Sequence, residues 1–110
     1  MKKCLTLVAA GGLIAFSAGS QAAIDDKTAT GLMGKAQCSA CHNVDQKLVG
    51  PSYKQVAEKR KAEKDVIATL VKKVREGGSG AYGAIPMPPN PKDKISDDDL
   101  KKLVEWILTK

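Results

Sequence analysis

Cys38-Ser39-Ala40-Cys41-His42 is the stretch on which the fold turns. It reads C-x-x-C-H, the attachment sequence for a c-type haem. Two thiols separated by two residues can add to the two vinyl groups on one side of a porphyrin, and the adjacent histidine then reaches under the ring to the iron. A thioredoxin-like redox pair needs a βαβ context, and no strand pattern precedes this motif. A structural zinc site takes four Cys or His ligands, whereas the chain beyond Cys4 offers only Cys38, Cys41 and His42. One covalently bound haem c with its iron is therefore the expected cofactor, held by thioethers from Cys38 and Cys41 and ligated by His42.

Toward the N-terminus, Lys2 and Lys3 form a short positive region, Leu5 to Ala18 is an uncharged run of apolar and small residues, and Ser20-Gln21-Ala22 offers small residues for cleavage. This pattern predicts a secretory signal peptide over 1–22, with the cut after Ala22 or Ala23. A membrane anchor needs about 20 strongly apolar residues, and this run is shorter and diluted by Gly, Ser and Ala. The expected compartment is the periplasm. What remains, 23–110, is 88 residues and one domain, near the size at which a protein core alone gives marginal stability. Cys4 leaves with the signal, so no long-range disulfide framework exists. A covalent cofactor is the natural substitute. It also fills a core poor in aromatics, since only Tyr53, Tyr82 and Trp106 remain after Phe16 is lost.

Downstream, apolar residues recur at helical spacing and predict an all-α domain. A first helix is expected over Asp25 to Gln37, with Leu32, Met33 and Ala36 on one face, running directly into Cys38. A short helix around Tyr53 to Lys59 follows the Gly50-Pro51 break. Glu63 to Glu76 places Val66, Ile67, Leu70, Val71 and Val74 on one side and ends at Gly77-Gly78. Gly77 to Ile95 is rich in Gly and Pro and predicts a long functional loop. Ser96 is a good N-cap for a last helix, with Asp97, Asp98 and Asp99 in its first turn and Leu100, Leu103, Val104, Ile107 and Leu108 as its apolar stripe.

His42 is the only histidine, so a bis-histidine iron is excluded. After Met1 the remaining thioethers are Met33 and Met87. Met33 lies on the apolar face of the first helix, where packing explains it. Met87 sits in the Pro-rich loop, far enough along the chain to wrap over the opposite haem face, and its flanking prolines hold that loop at little entropic cost. Met87 is the expected distal axial ligand. A Met/His pair raises the potential of haem iron and leaves no vacant position for a substrate, so the expected role is an electron carrier and not an enzyme. A haem peroxidase or gas-binding protein would leave Met87 off the iron, and an accessory subunit would remain fixed in a larger oxidoreductase.

These residues resemble the small bacterial class I cytochromes c of the c-551 type. The resemblance rests on C-x-x-C-H, on Val49-Gly50-Pro51, on Ile85-Pro86-Met87-Pro88-Pro89-Asn90 and on a final helix containing Trp106, and it covers nearly the whole of 23–110. It implies a class I cytochrome c fold, four to five helices around one covalently attached haem, with the first and last helices crossing beside it. It implies that the Pro51 carbonyl accepts the Nδ1 proton of His42, and that the Asn90 side chain donates toward the Met87 sulfur. Tyr82 and Lys73 stand where relatives carry Trp and Arg near a haem propionate. Lysine lacks the planar fork of arginine, which weakens that assignment.

The chain carries a formal charge of +6, of which +4 remains without Lys2 and Lys3. Lys54, Lys59, Arg60, Lys61 and Lys64 could dock acidic redox partners, but Glu58, Glu63 and Asp65 interrupt them, which favours an ordinary solvated face. The expected partners are periplasmic or membrane-bound redox proteins, a reductase, peroxidase or oxidase, met transiently by a monomer. Nucleic-acid binding has no support beyond charge.

Overall fold

The computed structural model describes residues 11–12 and 23–110. Apart from Gly11 and Gly12, the expected signal over 1–22 lies outside the described residues. The described chain is all-α: α1 (Asp26–Lys35), a single 3-10 turn at Cys38–Ala40, α2 (Tyr53–Arg60), α3 (Val66–Glu76) and α4 (Asp97–Ile107). Extended pairing among the described residues is limited to two isolated bridges, His42 with Lys47 and Gly78 with Met87.

The starts of α1, α2 and α4 are each capped by a side chain. Asp25 caps α1 by accepting from the Thr28 amide at 2.7 Å. Ser52 and Gln55 form a reciprocal capping box at the head of α2. The Asp99 amide donates to Ser96 Oγ at 3.2 Å, and the three aspartates that follow Ser96 face the positive end of α4. α3 departs from expectation by starting at Val66 instead of Glu63. Asp65 is left-handed at φ 56°, and Glu63 is tied back into the preceding turn by its amide on the Arg60 carbonyl and its carboxylate on Arg60 Nε. α1 likewise stops short of Gln37, which turns left-handed at φ 60° and redirects the chain into the 3-10 turn.

α4 is the organising element, packing against α1, α2 and α3. Its Leu100, Leu103, Val104 and Trp106 are buried with Ala29, Met33, Ala36, Tyr53, Leu70 and Ile95. Leu100 and Val104 are among the fully buried side chains, and each such burial is worth about 1.5–3 kcal/mol. The two ends of the domain are clasped: Trp106 Nε1 donates to Asp26 Oδ1 at 3.0 Å while Lys110 lies over the indole ring and pairs with the same carboxylate. These contacts hold the Asp26 carboxyl below its usual range, the Trp106 hydrogen bond being the largest cause. The clasp reaches the functional motif through Tyr53, whose ring meets Trp106 edge to face at 6.0 Å and stacks on His42 at 5.5 Å.

Candidate functional site

A cavity of about 500 Å³ opens between the Cys38–His42 segment, the loop after α3 and the inner face of α4. Its size falls within the range of about 300–1,000 Å³ usual for ligand and cofactor sites. Cys38, Cys41, His42, Pro51, Lys73, Tyr82 and Met87 all line it, with an apolar wall from Leu70, Leu103 and Val104. Asn90 does not reach the cavity surface.

The motif residues are set by the 3-10 turn. Both Cys41 and His42 donate their amides to the Cys38 carbonyl, at 3.1 and 2.9 Å, which folds the pair of thiols and the imidazole into one tight loop. The thiols are not joined to one another. Burial pushes the Cys38 thiol up from its ordinary pKa. His42 Nδ1 lies 2.8 Å from the Pro51 carbonyl. A carbonyl can only accept, so Nδ1 carries the proton and Nε2 keeps its lone pair for a metal. Gly50 explains why no side chain blocks the ring: a Cβ there would lie 2.6 Å from His42 Cε1.

Met87 is placed by its main chain. Its amide donates to the Gly78 carbonyl at 2.9 Å and its carbonyl accepts from the Gly78 amide at 3.0 Å. This bridge pins the long loop at Met87. Gly77, at φ 69°, brings the backbones together, since a Cβ there would collide with the Met87 carbonyl oxygen. Asn90 differs from the expectation attached to it: its side-chain amide donates to the Val74 carbonyl at 3.3 Å and the Pro88 carbonyl at 3.1 Å. Both amide hydrogens are thereby directed to backbone carbonyls and not toward the Met87 sulfur.

Tyr82 brings its hydroxyl into a buried position with no partner, and burial raises its pKa. A buried hydroxyl without a partner is costly, and a bound group bearing acceptor oxygens would satisfy it. Arg60 also lines the cavity, with its side chain only 16% exposed, and Lys59 lies 4.6 Å above the Tyr82 ring while donating to the Ala81 carbonyl. The basic cluster read from the sequence is thus divided. Lys54 pairs with Asp45 at the surface, whereas Arg60 turns inward. Arg60, Tyr53 and Gly50 are site residues that sequence reasoning missed. Only Gly50 had a signal, its place between the motif and a proline.

The cavity, the paired thiols and the orphaned hydroxyl fit one large, flat, largely apolar group with a polar edge. Two unjoined thiols and an imidazole with Nε2 free, beside a broad apolar cavity, suit a macrocycle attached through the thiols. Residues 27–110 match the family described as cytochrome c. The chain belongs to the cytochrome c family. Cytochrome c-551 of Azotobacter vinelandii is 49% identical over 72 residues, 66% of this chain and 84% of that protein. Cytochrome c-551 of Stutzerimonas stutzeri is 39% identical over 110 residues, 99% of this chain and 98% of that protein. The crystal structure of Nitrosomonas europaea cytochrome c552 superposes with a TM-score of 0.67 at 45% identity, covering 73% of this chain and 96% of the other. The architecture is that of a class I cytochrome c. Cytochromes c of this family are electron carriers with one covalently bound haem c, and the cavity fits that group.

Proposed function

We propose that this cytochrome c is an exported, monomeric, periplasmic electron carrier with Cys38 and Cys41 as haem attachment points and His42 and Met87 as axial ligands. The observation that carries the reading is one cavity shared by the C-x-x-C-H turn and the Met87 sulfur-bearing loop. When bound, the haem supplies a one-electron ferric/ferrous couple whose potential a Met/His pair raises. The residues around it have separate tasks. Pro51 fixes the tautomer and orientation of His42, and the Tyr53 ring supports the imidazole from one side. Leu70, Leu103 and Val104 exclude water from the apolar wall. Tyr82, Lys73 and Arg60 supply donors at the polar edge, suited to carboxylate groups on the cofactor. Asn90 orders the segment that carries Met87 through the Val74 and Pro88 carbonyls.

Export is supported by the basic and apolar pattern of 1–22 and by the alignment with the Stutzerimonas protein, which runs over 110 residues. A closed iron favours transient docking with redox proteins over substrate turnover. The deciding experiment is an absorption spectrum of the purified holoprotein with and without carbon monoxide. The expected result is a thioether-to-ferric-iron band and slow, weak carbon monoxide binding to the reduced form. Met87→Ala should abolish the band, admit carbon monoxide and lower the potential while the haem stays attached. Rapid, tight binding by the native protein would instead indicate a gas-binding or peroxidase site.

A further inference from the structure

We propose that Arg75 is the positioning residue of the distal ligand, a three-way clamp that holds the Met87 segment against the end of α3. The inference rests on Met87 being the axial ligand. Arg75 Nη1 donates to the carbonyls of Asn90 at 3.1 Å and Ile95 at 2.8 Å, and Nη2 pairs with Asp97 at 2.7 Å. One guanidinium therefore joins the last turn of α3, the exit of the Pro-rich segment and the first turn of α4. Its side chain is 17% exposed, so these bonds are partly shielded from water.

Helix-end chemistry shows why the clamp is needed. The last carbonyls of an α-helix have no partner within the helix. In α3, the Val74 carbonyl receives both the Asn90 amide at 3.1 Å and the Asn90 side chain, and the Arg75 carbonyl receives the Asn90 amide at 3.3 Å. Asn90 is thus a cap supplied from 15 or 16 residues away, and it seats the segment on α3. Arg75 closes the ring by donating back to the Asn90 carbonyl. Between Pro86 and Pro91, four prolines leave Met87 and Asn90 as the only residues with an amide hydrogen. Met87 uses its amide on Gly78 and Asn90 uses its own on α3. No other main-chain donor exists within 86–91, so the remaining bonds come from outside those amides: the Gly78 amide to Met87, the Lys94 and Ile95 amides to Pro91, and the side chains of Asn90 and Arg75. Arg75 supplies two such bonds, to carbonyls on either side of Pro91.

The planar fork is what the task requires. A lysine could keep the ion pair to Asp97, but its ammonium cannot span the two carbonyls and the carboxylate in this fixed geometry. The clamp acts on Met87 through Asn90 and the backbone and makes no contact with the sulfur.

The test uses the ferric holoprotein and imidazole as the incoming ligand, because imidazole can bind only when Met87 has left. Stopped-flow mixing at saturating imidazole reads the opening rate of the segment, and the thioether band reads its resting position. Arg75→Gln is expected to raise the limiting rate about tenfold or more, equivalent to about 1.4 kcal/mol. Arg75→Lys should behave like Arg75→Gln, while Asp97→Asn, which removes only the exposed arm, should change the rate by less than about threefold. Asp26→Asn, at the clasp beside Trp106, controls for general loosening and should leave the rate unchanged. The proposal is overturned if Arg75→Gln opens at the native rate, if Arg75→Lys restores the native rate, or if Asp26→Asn accelerates opening as much. Should Arg75→Gln fail to fold, Arg75→Lys carries the same comparison. Met87→Ala separates the two levels: a retained band in that variant sinks the axial assignment itself, whereas a lost band with unaffected Arg75 variants sinks only the clamp.

Discussion

His42 and Met87 line the same cavity but are held by different means. His42 takes its place within a turn that starts four residues earlier, and its partner Pro51 is nine residues away. Met87 shares a similarly local bridge with Gly78, yet the segment that carries it is tied down by contacts spanning 15 to 22 residues, which converge on Val74 and Arg75 at the end of α3. A side chain held by local chain geometry is in place whenever its turn is formed. One held by distant contacts depends on the packing of α3 against α4, and opens at the free-energy cost of those contacts.

The comparison can be broken most forcefully at the two close-approach glycines. Gly77→Ala places a Cβ against the Met87 backbone from a left-handed position, and should cost about 2 kcal/mol or more in denaturant unfolding of the holoprotein. Gly50→Ala also crowds its neighbour, but that neighbour is an imidazole that can tilt, so the expected loss is about 1 kcal/mol, one hydrogen bond to Pro51. If Gly50→Ala proves the more damaging, the His42 side of the cavity is the more constrained one.

A milder change should treat both sides alike. Trp106→Phe removes the indole donor to Asp26 and should cost about 1 kcal/mol, while leaving the thioether band at full strength. A weakened band in this variant would mean that the clasp between α1 and α4 also governs Met87.

The smallest expected effect is on pH. Asp97 is held below its ordinary pKa chiefly by the Arg75 hydrogen bond. A carboxyl depressed in the folded state stabilises it fully above its unfolded value, about 3.9, and that contribution is lost as pH falls through the lower folded value. Opening of the Met87 segment, followed by the thioether band, should therefore rise slightly in acid below about pH 4, and Asp97→Asn should remove that rise. Asp97 is exposed, so the change should be modest.

The sequence was most informative where the structure is local. The C-x-x-C-H turn, the Ser96 cap and the stripe from Leu100 to Leu108 could all be read from neighbours within a few positions. The helical class was legible for the same reason, since periodicity is a local property. Boundaries set by left-handed residues were not. Gln37 has no preference for a positive φ, and Asp65, though aspartate tolerates that region, sits in a charged run that gives no sign of it. The contacts of Arg75 were hidden as well. In the sequence it is one cation in a helix with two lysines nearby, and its partners lie in a loop and in the next helix. Arg60 was read as part of a surface cluster because charge does not reveal which way a side chain turns.

The proline content of the Met87 segment has a practical consequence for spectroscopy. Of the six residues from Pro86 to Pro91, Met87 and Asn90 alone carry an exchangeable amide proton, and each is bonded to a different anchor. Two cross-peaks in a hydrogen-exchange spectrum therefore report separately on the Gly78 hinge and on the α3 seat, so the order in which the segment lets go can be timed one anchor at a time.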